Sequence, residues 1–254
     1  VIAVRSADHL CSIMHGGPVD ILCITAHPDD AEISCAGTLM RQIELGHSVG
    51  LVELTAGELG TRGSATLRRQ EAEAAMKVIG ARFRYDLGLP DGFFRSEREV
   101  LLKVVTVLRL HRPRVVITNA VRDRHPDHGR GADLVREAAF LSGLRRIDTI
   151  FSGKAQEPWR PTTLLHCVQD NWIDPDLVVD ITPFWDRKME ALMCFRSQFY
   201  DPTSTEPESP IATREFLPFL EGRHRAMGRI IHAPYGEGFT VQRAPGVRDV
   251  MELA

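Results

Sequence analysis

No apolar run in this chain approaches the roughly 20 residues that a membrane-spanning helix needs, so no membrane partner is expected. A charged, apolar and small-residue series of the secretory type is also missing at the start. The five cysteines, Cys11, Cys23, Cys35, Cys167 and Cys194, are odd in number, scattered, and form no CxxC pair. That excludes a disulfide framework and a thiolate zinc site, makes Cys23 and Cys35 small buried hydrophobes, and suits a reducing cytoplasm. Strong charge of either sign is absent as well. A formal net charge of -3 gives no reason to expect nucleic acid or an anionic membrane surface as partner. The glycine-rich stretch Gly57–Gly63 lacks the GxGxxG and GxxxxGK[ST] spacings and follows the second strand, which argues against nucleotide binding.

What is present is an ordinary globular composition: 254 residues, 43% hydrophobic and 26% charged, enough for one large α/β domain. Strand-like and helix-like patterns alternate through the first two-thirds. Strands are expected over Asp20–Thr25, Ser48–Leu54, Arg82–Leu87 and Val115–Asn119, and helices over Ala36–Gly46, Leu67–Ile79 and Glu97–His111. Such alternation implies parallel pairing and right-handed crossovers, hence a Rossmann-like, mostly parallel sheet with helices on both faces. The last third is less regular, with strands expected at Thr163–Val168, Leu177–Ile181 and Gly238–Arg243. Helices are expected there at Phe184–Phe195 and Arg214–Met227, with Met189, Leu192 and Met193 filling core, and Tyr200–Pro210 reads as a surface loop. Residues 1–19 read as an N-terminal extension and 20–254 as a single domain. Within that extension Val1–Ile13 is expected to be flexible or to precede the true start at Met14.

Two clusters of imidazole and carboxylate stand out. Ala26-His27-Pro28-Asp29-Asp30-Ala31-Glu32 follows the first strand, and His125-Pro126-Asp127-His128 lies a few residues beyond the fourth. Ligands bind open α/β sheets outside the carboxyl ends of the strands, so the two clusters are placed to converge. Catalytic zinc takes three nitrogen or oxygen ligands and leaves a position for water. His27, Asp30 and His128 meet that count, and Asp29 remains as a base for water made acidic by the metal. His125 could polarise a carbonyl oxygen as an imidazolium, or protonate a leaving amine. Asp127 would fix the orientation of one imidazole. Arg62 and Arg68 could hold an anionic group, although Arg62 reads equally well as a solvated loop charge. Asp91, in Leu89-Pro90-Asp91-Gly92, could accept sugar hydroxyls or shape the turn. His9, His15, His47, His111, His166, His224 and His232 lack metal-type companions and suit surface or packing roles.

With Ala36-Gly37-Thr38 and Asp123-Arg124 added to these motifs, the chain resembles the LmbE/PIG-L family of zinc-dependent de-N-acetylases. The likeness runs on through Thr55–Glu71, Val179-Asp180-Ile181, Lys188–Phe199 and Glu237-Gly238-Phe239. The later segments look most like the bacillithiol-pathway branch, whose members deacetylate N-acetylglucosaminyl-malate. The resemblance implies zinc on His27, Asp30 and His128, a base at Asp29, transition-state stabilisation by His125, and substrate binding by Arg68. It also implies a homo-oligomer, trimer or hexamer. The stretch Leu165-His166-Cys167 departs from relatives, which often carry tyrosines there. Rival readings are a deacetylase of N-acetylglucosamine or chitooligosaccharides, an amidase of thiol S-conjugates, and a non-catalytic ligand-binding module.

Overall fold

A computed structural model describes residues Met14–Leu253. Val1–Ile13, for which flexibility is expected, lie outside the described residues. Seven strands form one sheet: β1 (Ile21–Thr25), β2 (Val49–Glu53), β3 (Arg84–Asp86), β4 (Val115–Thr118), β7 (Thr163–Cys167), β8 (Leu177–Asp180) and β9 (Gly236–Val241), in the order β3-β2-β1-β4-β7-β9-β8. Strands β3, β2, β1, β4 and β7 run parallel, and β9 is antiparallel to both β7 and β8. A small hairpin pairs β5 (Ile150–Phe151) with β6 (Lys154–Ala155).

Seven helices accompany the strands among the described residues. They are α1 (Asp30–Ser34), α2 (Ala36–Glu44), α3 (Ala65–Ile79), α4 (Arg98–His111), α5 (Pro126–Ser142), α6 (Trp185–Leu192) and α7 (Phe216–Ile230). Strand β1 is buried along its whole length, because side chains alternate between two helical layers. Leu22 and Ile24 join a core with Leu101, Val105 and Leu134 from α4 and α5. Ile21 and Cys23 join another with Ala31, Leu39 and Ala191 from α1, α2 and α6. A third cluster, around Phe195, Phe199 and Leu220, packs α3, α6 and α7 together. The packing reaches upstream of β1, since Met14 and Val19 are buried in the first of these cores.

Close approach explains one glycine. A β-carbon on Gly37 of α2 would stand 2.7 Å from Cβ of Ile181, so only glycine lets α2 lie against that turn. No element is expected from the sequence at α5, whose first turn carries the second His/Asp cluster, and one expectation needs correction. Met193 is not core: it caps the C-terminus of α6, beyond the last buried turn, and is 37% exposed.

Strand β1 lies between β2, which leads outward to β3, and β4, which leads the other way. The chain therefore reverses its direction of progress across the sheet beside β1. That reversal opens a crevice at the carboxyl ends of β1 and β4.

Candidate active site

Both motifs enter this crevice. The segment after β1 turns sharply, and Asp29 takes a left-handed conformation (φ 105°) just before α1. For a residue with a β-carbon that strain costs on the order of 1–3 kcal/mol and persists only where the surroundings enforce it. The surroundings do so here. Ala26 N donates to Asn119 Oδ1 at 2.7 Å, and His27 N donates to Asp30 Oδ2 at 2.9 Å. After β4, His125 is the N-cap of α5, its Nδ1 accepting from Asp127 N at 3.3 Å, and Pro126 opens the helix where a missing N–H costs nothing. One helical turn then sets the His125 and His128 rings 5.1 Å apart.

The side chains form a buried network. Asp30 lies between the two imidazoles, with His128 Nε2 3.0 Å from Oδ1 and His27 Nδ1 3.6 Å from Oδ2. Asn119 Nδ2 also donates to Asp30 Oδ2 (3.0 Å), and Gln169 Nε2 to Oδ1 (3.3 Å). The far nitrogen of each imidazole is held by carboxylates: His128 Nδ1 by Asp123 at 2.5 Å, His27 Nε2 by Asp91 at 3.0 Å and Asp127 at 3.4 Å. Asp127 in turn accepts from Gly92 N at 2.7 Å and pairs with Arg130. Asp29 faces Arg68, whose Nη2 donates to Asp29 Oδ2 (2.9 Å) and to Pro28 O (2.7 Å). The Arg68 Nη1 donates to Gly57 O at 3.1 Å, and a β-carbon on Gly57, itself at φ 65°, would collide with that guanidinium.

Burial raises the Asp29 pKa to about 6, although Arg68 pulls against it. Burial opposes charge on His128, but Asp30 and the bond to Asp123 outweigh it and lift the pKa to about 9. The same competition raises His27 well above its usual value, and His128 and His27 hold Asp30 well below the carboxylate range against its burial. His125 differs. Burial, reinforced by His27 and His128, lowers it to about 4. That direction favours a neutral ring, and with Nδ1 accepting from Asp127 N its Nε2 is the nitrogen left to donate.

One ring nitrogen each of His27, His125 and His128 lies within 4.8 Å of the others, and His27, Asp91 and Asp127 make a second such group. Donor chemistry separates the two. Asp127 already carries the Arg130 cation, and Asp91 accepts from Leu59 N at 2.9 Å, so this carboxylate side supports His27 from behind. On the other side Asp30 lies between His27 and His128, whose far nitrogens are tied to carboxylates, so both rings could give up a proton and turn a lone pair to a metal beside Asp30. A nitrogen, nitrogen and carboxylate set suits zinc or a similar divalent cation.

All eight residues expected from the sequence come together, but three work differently from the simplest reading. Asp91 is 6% exposed and lies behind His27. Arg68 is 5% exposed and engaged with Asp29. Asp127 turns its carboxylate to His27 and only its backbone N–H to the neighbouring His125. Arg62 is no solvated charge: it is 5% exposed and donates to Ser204 Oγ at 2.7 Å. Sequence reasoning missed the roles of Asp123, Asn119 and Gln169. Only Asp123 left a signal, as a carboxylate five residues before His128.

The fold and this cluster define an α/β protein with a candidate metal-holding site at the carboxyl edge of its sheet. Residues 22–139 match the family described as PIG-L, GlcNAc-PI de-N-acetylase. A conserved protein from Thermus thermophilus superposes with a TM-score of 0.79 at 32% identity, covering 90% of this chain and 97% of that one. The diacetylchitobiose deacetylase of Thermococcus kodakarensis is 27% identical over 89% of this chain and 84% of its own length. The 4-oxalmesaconate hydratase of Pseudomonas putida is 28% identical over 70% of this chain and 73% of its own. The chain belongs to the PIG-L/LmbE family of deacetylases.

Proposed function

We propose that this protein is a zinc-dependent N-deacetylase of small N-acetylglucosamine-containing molecules. The observation that carries the reading is the convergence of His27, Asp30 and His128, with Asp29 beside them on a strained turn. A cation held by those three would supply Lewis acidity, acidifying water and polarising the amide carbonyl. Asp29, aimed by Arg68, accepts the proton of the attacking water at its free carboxylate oxygen. His125 donates its ring N–H to the oxygen on which negative charge develops. Asp29 then returns the proton to the departing nitrogen, the C–N bond breaks, and acetate and a free amine leave.

For the sugar's partner we favour N-acetylglucosamine or a short chitooligosaccharide over the malate glycoside of bacillithiol synthesis. What supports this is the commitment of Arg68, the residue expected to hold an anionic substrate group, to Asp29 and two backbone carbonyls. The diacetylchitobiose deacetylase relative, aligned over most of both chains, points the same way. Neither a thiol-conjugate amidase nor a non-catalytic module gains a comparable observation.

The test is acetate release from N,N'-diacetylchitobiose, N-acetylglucosamine, N-acetylglucosaminyl-malate and a thiol S-conjugate, with metal content measured on the same sample. Turnover of the first two with about one zinc per chain is expected, together with its loss in Asp29→Asn. A metal-loaded protein that releases acetate from none of them, yet hydrates 4-oxalmesaconate, would move the chain to the chemistry named for its hydratase relative.

A further inference from the structure

Cys23, in the middle of β1, and Cys35, at the junction of α1 and α2, hold their sulfurs 3.7 Å apart. Both thiols are buried, and Cys35 also hydrogen-bonds Cys167 of β7. None of the three takes part in the proposed chemistry. Yet Cys23 and Cys35 bracket the first motif, with His27, Asp29 and Asp30 lying between them. Their frames differ. Cys23 is fixed in the central strand, paired with β2 on one side and β4 on the other. Cys35 is a non-helical residue (φ -145°, ψ 8°) that follows a helix of only five residues, tied back by its N–H to Ala31 O at 2.9 Å.

We propose that Cys23 and Cys35 are the site of a reversible intramolecular disulfide, formed when the chain meets a peroxide. The touching sulfurs supply the pair, and the hydrogen bonds from Cys167 and Cys23 favour the thiolate of Cys35, the form that attacks. That thiolate attacks one peroxide oxygen, the O–O bond breaks, and Cys35 becomes a sulfenic acid; the hydroxide released takes up the proton that the thiol lost. Sulfur of Cys23 then attacks sulfur of Cys35, the S–O bond breaks, and the departing hydroxide leaves as water with the Cys23 proton. Two thiols lose two electrons, and the peroxide becomes two waters. A dithiol reverses the step by exchange.

Both sulfurs are enclosed, so the oxidant reaches them when the short helix α1 opens. Asp30 is the first residue of α1, so a cation on it opposes that opening. Bonded sulfurs lie about 2.05 Å apart. Closure therefore draws the α1–α2 junction towards β1 and shifts Asp30. Metal and disulfide thus oppose each other, each weakening the other by the same factor. The cross-link is independent of the proposed function; its antagonism with the metal rests on that reading.

The test treats the zinc-loaded and the chelator-stripped protein with hydrogen peroxide and maps disulfides by mass spectrometry without reduction. Cys194, only partly buried, reports that oxidant was delivered. A Cys23–Cys35 link is expected in the stripped protein, absent from Cys35→Ala and retained in Cys167→Ala. Bound zinc should slow its formation about tenfold, and oxidation should weaken zinc binding about tenfold by chelator competition, with recovery in dithiothreitol. Oxidised Cys194 beside free Cys23 and Cys35, or a Cys35–Cys167 link in place of the expected one, would overturn the proposal. A link that forms equally fast with and without zinc would remove the antagonism. If the chain binds no zinc, the function proposed above fails, and the mapped link alone decides the inference.

Discussion

Arg68, on the first turn of α3, reaches across the crevice to place its Nη2 2.9 Å from Oδ2 of Asp29. The same nitrogen takes Pro28 O at 2.7 Å, so one planar group fixes both the backbone and the carboxylate of the strained turn. On this geometry Arg68 is a positioning residue for the proposed base. Arg68→Ala should lower kcat by about a hundredfold with a smaller change in KM, since misplacing a reacting group by an ångström costs that much. Arg68→Lys should recover only part of the loss, because an ammonium cannot span the three acceptors as the guanidinium fork does. Steady-state kinetics decide: an effect confined to KM would return Arg68 to substrate binding.

Asp123 should control metal affinity. Its carboxylate holds His128 Nδ1 at 2.5 Å while its other oxygen accepts from Asn171 N at 2.6 Å. Replacement by asparagine keeps the shape and removes the charge behind the imidazole. Asp123→Asn should weaken zinc binding by about 10–100-fold, measured by competition with a chelator, while the fold remains intact by circular dichroism.

Acid should destabilise the protein through His111. This ring is fully buried, stacks on Phe83 with centroids 4.2 Å apart, and has partners on both nitrogens: Tyr85 Oη at 2.6 Å and Gly17 O at 3.0 Å. Burial lowers its pKa from 6.5 to about 4, against the favourable bond to Gly17. As pH falls below 6.5 the unfolded chain takes up a proton that the folded chain refuses until about pH 4. The stabilisation present at neutral pH is therefore lost across that window, by about 2 kcal/mol between pH 7 and pH 5. Urea unfolding at the two pH values measures it, and His111→Gln should flatten the slope.

Lys188 and Glu237 form an ion pair with neither side chain exposed, at 2.8 Å. The ammonium also donates to Glu32 O (2.8 Å) and Ile33 O (2.9 Å), the carbonyls of α1. Lys188→Met leaves a buried carboxylate and two carbonyls without their donor. Breaking such a pair costs about 3–5 kcal/mol, so unfolding in denaturant should shift accordingly.

The sequence showed the sheet and the two motif loops because their signals are local. Strands β1 and β4 are short apolar runs, and His-Pro-Asp-Asp and His-Pro-Asp-His stand directly beyond them. Helix α5 escaped because Gly129 and Gly131 lower helix propensity in its first turns. At Gly131 a β-carbon would stand 3.2 Å from Leu54 Cδ1, a close approach that favours the glycine. The exchange of roles among Asp91, Asp127 and Arg68 was equally hidden. Each depends on which side chain lies opposite across a loop, and sequence spacing carries no record of that. Arg62 shows the limit plainly: its burial comes from Ser204 and Glu206, some 140 residues away.

Glu237 also ties the end of the chain to its beginning. Its two carboxylate oxygens accept from Gly37 N at 3.1 Å and Thr38 N at 2.6 Å, contacts spanning about two hundred residues, at the N-terminus of α2. During synthesis His27, Asp29, Asp30 and His128 emerge well before the residue that anchors this helix, and before Gln169 and Lys188. A chain lacking β9 would keep Arg68, Asp91, Asn119 and Asp123 but lose the carboxylate that holds the start of α2 and pairs with Lys188.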